Sequence, residues 1–256
     1  MIPVAHAQAL LAFRSTMTAN PTSRKPRKTA TPARQPGVAR VNARRDGDET
    51  RERMLNSAEA LFAAHGFHGT SMRDVADDIG CGIALVTYHF GTKDVLFSTV
   101  IKRRAAYMAQ QRILALDNAR AKAKGNPVPV EDIVSGYVWP FVERSAAGGK
   151  GWKNYSLFIA RHANSPEFAK VIDEHYDPVA KQYLDELKRT FPRMPQTDLY
   201  YAFSLMVGGM VSIVAEPGRV ENLSSGQIKA SDVEAAFKRM LPFFSAGFKA
   251  LQPPSP

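Results

Sequence analysis

A chain of 256 residues, 45% of them hydrophobic, can build one medium domain or a small domain joined to a larger one. Its single cysteine, Cys81, excludes a disulfide framework within the chain and points to a reducing cytoplasm. The net charge of +10 is unevenly placed: residues 1–45 hold nine basic and no acidic residues, whereas residues 46–95 hold nine acidic and four basic ones.

The first 45 residues are rich in Pro, Thr, Ala and Arg and show no helical periodicity. This predicts a disordered basic arm that attracts polyanions, with an idle solubilising tail as the alternative. The apolar run from Ile2 to Phe13 is short and has no basic residue ahead of it, so it is read as tail rather than secretory signal, and Met17 is an alternative start. A mean hydropathy of −0.25 and the lack of a long apolar run predict a soluble protein with no membrane partner.

From Asp48 the pattern becomes helical. Leu55, Ala58, Leu61, Phe62 and Ala63 recur at three- and four-residue steps, and Gly66 is the expected stop. Ser71 and Asp74 have capping-box spacing, so a helix starts there, runs through Val75, Ala76 and Ile79, and breaks at Gly80-Cys81-Gly82. A second short helix is expected over 83–89, and Thr92 caps a long helix over 93–120. Further helices are expected over 130–146, 151–163, 166–190, 197–215 and 231–250, the last opened by Ser231 with Glu234. Ser165 before Pro166 is another start, while Pro140, Pro178 and Pro242 predict kinks or boundary shifts. No strand-like alternation is found, and the fold class is all-α.

Ala76, Gly80 and Val86 have the spacing of a helix-turn-helix: a small residue where the helices cross, a residue at ease with positive φ in the turn, and an apolar seal beneath the second helix. Val75, Ile79 and Leu85 are expected to add buried contacts. The strings Gly66-Phe67-His68-Gly69-Thr70-Ser71-Met72-Arg73-Asp74-Val75-Ala76 and Val86-Thr87-Tyr88-His89-Phe90-Gly91-Thr92-Lys93-Asp94-Val95-Leu96 resemble the TetR family over about 50 residues. The resemblance implies an N-terminal three-helix helix-turn-helix DNA-binding domain over 46–95. It also implies a C-terminal helical effector-binding and dimerisation domain over 96–251, with a homodimer built on the last two helices.

On that reading, helix 83–89 lies in the major groove of a double-stranded DNA operator. It offers Gly82, Ile83, Ala84, Thr87 and Tyr88, and Ile83 or Ala84 can meet thymine methyls. Ser71 and the start of its helix, with Arg73, suit a phosphate. Tyr88, His89 and Lys93 match the family's phosphate-contacting positions; packing under the long helix is the alternative for Tyr88 and His89. The family's commoner Ser-Lys-Gly-Thr-like run is replaced by Gly82-Ile83-Ala84-Leu85, which removes a basic side chain from the groove. Arg40, Arg44 and Arg45 are therefore expected to supply phosphate or minor-groove contacts.

Trp139, Trp152, Tyr155, Phe158, Ile159, His162, Tyr176, Tyr201 and Met206 are the candidate effector pocket for a small apolar or aromatic molecule, with ordinary core as the alternative for most. Arg161 and His175 are further polar handles. Gly208-Gly209 fits close helix packing at a dimer seam or inside the chain. Cys81 is expected to be inert, and His65 with His68 lacks a third ligand, so no metal and no cofactor is expected. No phosphate-cradling loop, nucleophile elbow or paired-His zinc motif occurs, which argues against an enzyme. The expected function is a repressor released from a near-palindromic operator by the effector. The alternatives are an activator of the same architecture and a non-specific nucleic-acid binder working through the arm.

Overall fold

The computed structural model describes residues 36–163, 166–215 and 218–254, and for 36–45, 166–167 and 170 it describes the backbone alone. Residues 1–35 of the arm, the side chains of Arg40, Arg44 and Arg45, and the Ser165 cap lie outside the described residues. The chain divides into a unit at residues 1–42 and a compact unit at 43–256. The packing that follows is within the second.

Among the described residues the fold is all-helical, and the first three helices have the predicted local chemistry. Helix α1 spans Pro36–His65, so it begins well before Asp48, and residues 36–45 are helical rather than an irregular arm. Proline suits a first helical turn, and Ala39, Arg40, Ala43, Arg44 and Arg45 favour helix without forming an apolar face; periodicity alone therefore missed this segment. Gly66, at φ +75°, ends α1 with its N–H donated to the Phe62 carbonyl. Helix α2 (Met72–Ile79) opens on the Ser71–Asp74 capping box: the Asp74 N–H donates to Ser71 Oγ at 3.2 Å, and the Ser71 N–H donates to Asp74 Oδ2 at 2.7 Å. It ends at Gly80, whose φ of +70° is left-handed. Helix α3 covers Ile83–Phe90, and Thr92 caps α4 (Lys93–Ala123) by accepting from the Val95 N–H at 3.3 Å.

The larger part continues with α5 (Val130–Ala147), α6 (Gly149–His162), α7 (Pro166–His175), α8 (Asp177–Thr190), α9 (Gln196–Val214), α10 (Arg219–Leu223) and α11 (Val233–Leu251). Three expectations are corrected here. The segment 166–190 is two helices, because Pro178 sits in the first turn of α8 and cannot continue α7. Pro140 and Pro242, by contrast, lie inside α5 and α11. The α11 cap is Asp232, which accepts from the Ala235 N–H at 2.9 Å, not Ser231. Among the described residues α9 is long and apolar enough by composition to cross a membrane, a run the averaged hydropathy concealed. In this fold it packs against α5, α6, α8 and α11.

Helix α5 is the centre of the larger part, packed on α4, α6, α8, α9 and α11. Val134, Val138 and Val142 on it are wholly buried. Glu59 of α1, 1% exposed, ties the two parts together by accepting from Arg103 and Arg104 of α4.

Candidate DNA interface and effector cavity

The α2–α3 pair is braced as the spacing predicts. Ala76 and Val86 are buried at the crossing beside Val75, and Gly80 supplies the turn. Leu85 is the exception: it was expected inside but is 39% exposed, because it falls on the outer side of α3, one residue from the buried Val86. That outer side carries Gly82, Ile83, Ala84, Thr87 and Tyr88, all exposed. Tyr88, at 82% exposure, does not pack under the long helix. His89 is half-buried, edge-on to the Tyr88 ring and tilted against Phe90.

Two expected phosphate contacts are already engaged. The Ser71 hydroxyl accepts the Asp74 N–H, and the Asp74 carboxylate occupies the α2 N-terminus. The hydrogen bonds from Ser71 hold the Asp74 carboxyl below its ordinary value, so the group is anionic at neutral pH. Lys93, half-buried, sits with Nζ 4.2 Å from the Phe67 ring centroid, a cation–π contact that packs its stem on the domain. Arg73 is exposed. Cys81 is half-buried against the core, and no metal-binding group occurs among the described residues.

A half-open cavity of about 390 Å³ lies within the larger part, lined by α4 through α9. Only Ile159 and Tyr176 of the nine predicted pocket residues line it. Tyr155, Phe158 and Met206 are buried core instead; the Tyr155 hydroxyl hydrogen-bonds that of Tyr176 behind the cavity wall. Burial raises both phenols. His162 stacks on Phe168 at 4.5 Å, Trp139 packs on Phe237, and Trp152 lies beneath the Arg104 guanidinium against Tyr107. Tyr201 is 69% exposed and belongs to a different surface. The lining that the sequence reading missed includes Arg112, Tyr137, Phe168, Asp177, Phe203 and Val207. No signal in the sequence set Arg112 apart, because α4 carries basic residues along its whole length.

Phe168 reaches beyond the cavity. Its ring lies 4.3 Å from Phe97 on α4, and Phe97 lies 5.0 Å from Phe62 and 4.9 Å from Phe67. One aromatic cluster thus joins the cavity wall to the core of the α1–α3 domain. Elsewhere, α9 and α11 form an open apolar groove where Tyr201, Leu205 and Phe243 are each about 70% exposed.

Comparison with known proteins agrees with this architecture. Residues 54–100 match the family described as "Bacterial regulatory proteins, tetR family", and residues 135–247 match "Tetracyclin repressor-like, C-terminal domain". The chain belongs to the TetR family of DNA-binding transcriptional regulators, a non-enzymatic family. Among curated proteins it is similar to the HTH-type transcriptional repressor AcnR of Corynebacterium efficiens, 33% identical over 61 residues, or 24% of this chain. The match spans about a third of that relative's length (32%). Among solved structures it resembles a TetR-like regulator from Rhodococcus sp. RHA1, with TM-score 0.54 and 20% identity, covering 78% of this chain and 96% of that one. It also resembles the ketosteroid transcriptional regulator KstR2 of Mycobacterium tuberculosis, with TM-score 0.53 and 17% identity, covering 80% and 96%.

Proposed function

We propose that this regulator is a cytoplasmic homodimeric repressor that leaves its operator when a small apolar molecule fills the α4–α9 cavity. The observation that carries the DNA-reading part is the exposed outer face of α3, held by the buried Ala76–Val86 crossing. In a dimer, two such helices would enter successive major grooves about 34–36 Å apart, or at a larger spacing set by the pairing, on a near-palindromic duplex. The α9–α11 groove supports the pairing, since monomers rarely leave a contiguous apolar patch of this kind uncovered. The word repressor in the name of the AcnR relatives supports the direction of control.

Helix α3 contributes no Lys or Arg, and the domain around it is acidic. Arg40, Arg44 and Arg45 of α1 therefore supply the positive charge that holds the phosphates. An occupant of the cavity acts through Phe168 on Phe97, and so on α4, the helix shared by both parts. Release requires that the occupant bind the DNA-incompetent geometry more tightly than the competent one.

Selection of bound genomic fragments by the full chain, followed by competition, tests this reading. One near-palindromic duplex should outcompete random DNA by at least about a thousandfold. Equal affinity for all duplexes would leave only a non-specific basic binder. Replacing Arg40, Arg44 and Arg45 by Gln should reduce the log–log salt slope by up to about 0.9 per arginine; an unchanged slope removes them from the interface.

A further inference from the structure

Buried acids in this fold are matched by cations. Glu59 faces Arg103 and Arg104, and the fully buried Glu186 lies 2.7 Å from Arg120 and 3.7 Å from Arg189. Arg112 is different. It is 3% exposed, projects from α4, and lines the apolar cavity. Its Nε donates to the Tyr137 carbonyl at 2.8 Å, Nη2 points at the Met210 sulfur at 3.5 Å, and the guanidinium lies 3.9 Å from the centroid of the Tyr137 ring. All of these partners are neutral, and a thioether is a weak acceptor. Among the described residues no carboxylate forms an ion pair with Arg112. The contacts orient the fork but leave its charge uncompensated, a costly state for a cation withdrawn from water.

This inference rests on the reading of the cavity as the effector site. We propose that the effector is an apolar monocarboxylate: its carboxylate pairs with Arg112, and its hydrocarbon part lies among Phe141, Phe168, Ile172 and Val207. Guanidinium matches a carboxylate in shape and charge and can hold it through two parallel hydrogen bonds. A neutral molecule would leave the charge as it stands. A dianion such as a phosphate ester would exceed the one cation buried in the wall. The exposed Lys181, one turn along α8, offsets Asp177, so that pair adds no net charge. An amine would face Arg112 itself.

The test is calorimetric titration of the full-length protein without DNA. The probes are decanoate and phenylbutyrate, with decanol, phenylbutanol, decylamine and phenylbutylamine as tail-matched controls. At least one acid should bind roughly ten- to a hundredfold tighter than its alcohol, as a charge-assisted hydrogen-bonded pair warrants. Arg112→Met should abolish that preference while retaining alcohol binding, and Arg112→Lys, which keeps charge but not the fork, should retain part of it. If Arg112→Met does not fold, the wild-type comparison and Arg112→Lys decide. An alcohol or amine that matches its acid overturns the proposal, as does an acid preference that survives in Arg112→Met, or a wild-type protein that binds neither acid. Operator release is measured separately. A neutral molecule that fills the cavity and frees DNA would sink the carboxylate and leave the regulator reading intact; acids bound through Arg112 without effect on DNA would do the reverse.

Discussion

Gly80 offers the sharpest check on how the DNA-reading unit is held. Its φ of +70° and ψ of 39° are left-handed, and its N–H caps α2 by donating to the Ala76 and Asp77 carbonyls. A Cβ built on Gly80 meets nothing within 4 Å, so substitution there carries a backbone cost and no steric one. Gly80→Ala should therefore destabilise the protein by about 1–2 kcal/mol, the cost of placing an L side chain in this region. Gly80→Asn should cost less, because Asn adopts the region readily. Gly80→Val should cost more than Ala, since a β-branched residue is a true outlier there. Denaturant unfolding of the three full-length variants measures the order, and operator titration should show affinity falling in the same order. Equal stability of Gly80→Val and wild type would refute the left-handed turn. A loss for Gly80→Ala well above about 3 kcal/mol would mean that the open space beside the glycine is filled in solution.

Three further predictions follow from individual contacts. Glu59→Gln leaves Arg103 and Arg104 facing a neutral amide at a site 1% exposed, so unfolding should show a loss of about 3 kcal/mol or more, with Glu59→Asp recovering part of it. The Asp74 carboxyl titrates below its ordinary value in the fold; its cap therefore stabilises above the unfolded pKa and is lost as pH falls through the folded one. Stability of Asp74→Asn should accordingly converge on that of wild type as pH drops below about 4, and a gap that widens in acid would refute the cap. Leu205→Lys with Phe243→Glu, both on the exposed α9–α11 groove, should leave the unfolding midpoint nearly unchanged yet convert the proposed dimer to monomer in sedimentation, and a dimer that persists would move the interface elsewhere.

Much of this protein is local chemistry, and local chemistry is written in the chain. Ser71 with Asp74 three residues on and Gly80 at a left-handed turn depend only on neighbours in sequence, so spacing located both ends of α2. Leu85 shows the limit of that reasoning, since an apolar side chain can face outward when the crossing angle leaves it no partner. Residues 36–45 show another: propensity extends α1 without any apolar face for periodicity to detect.

The cavity was not legible in this way. Its wall takes scattered positions from six helices, and a large aromatic residue reads the same whether it fills the core, as Tyr155 and Phe158 do, or borders a space, as Tyr137 and Phe203 do. Only the packing of α4 to α9 around α5 divides the two groups. Arg112 is the clearest case, because an arginine in the middle of a long helix looks like a solvated charge until the neighbouring helices close over it. Helix ends answer to the two or three residues beside them; the contents of an interior answer to every chain segment that meets there.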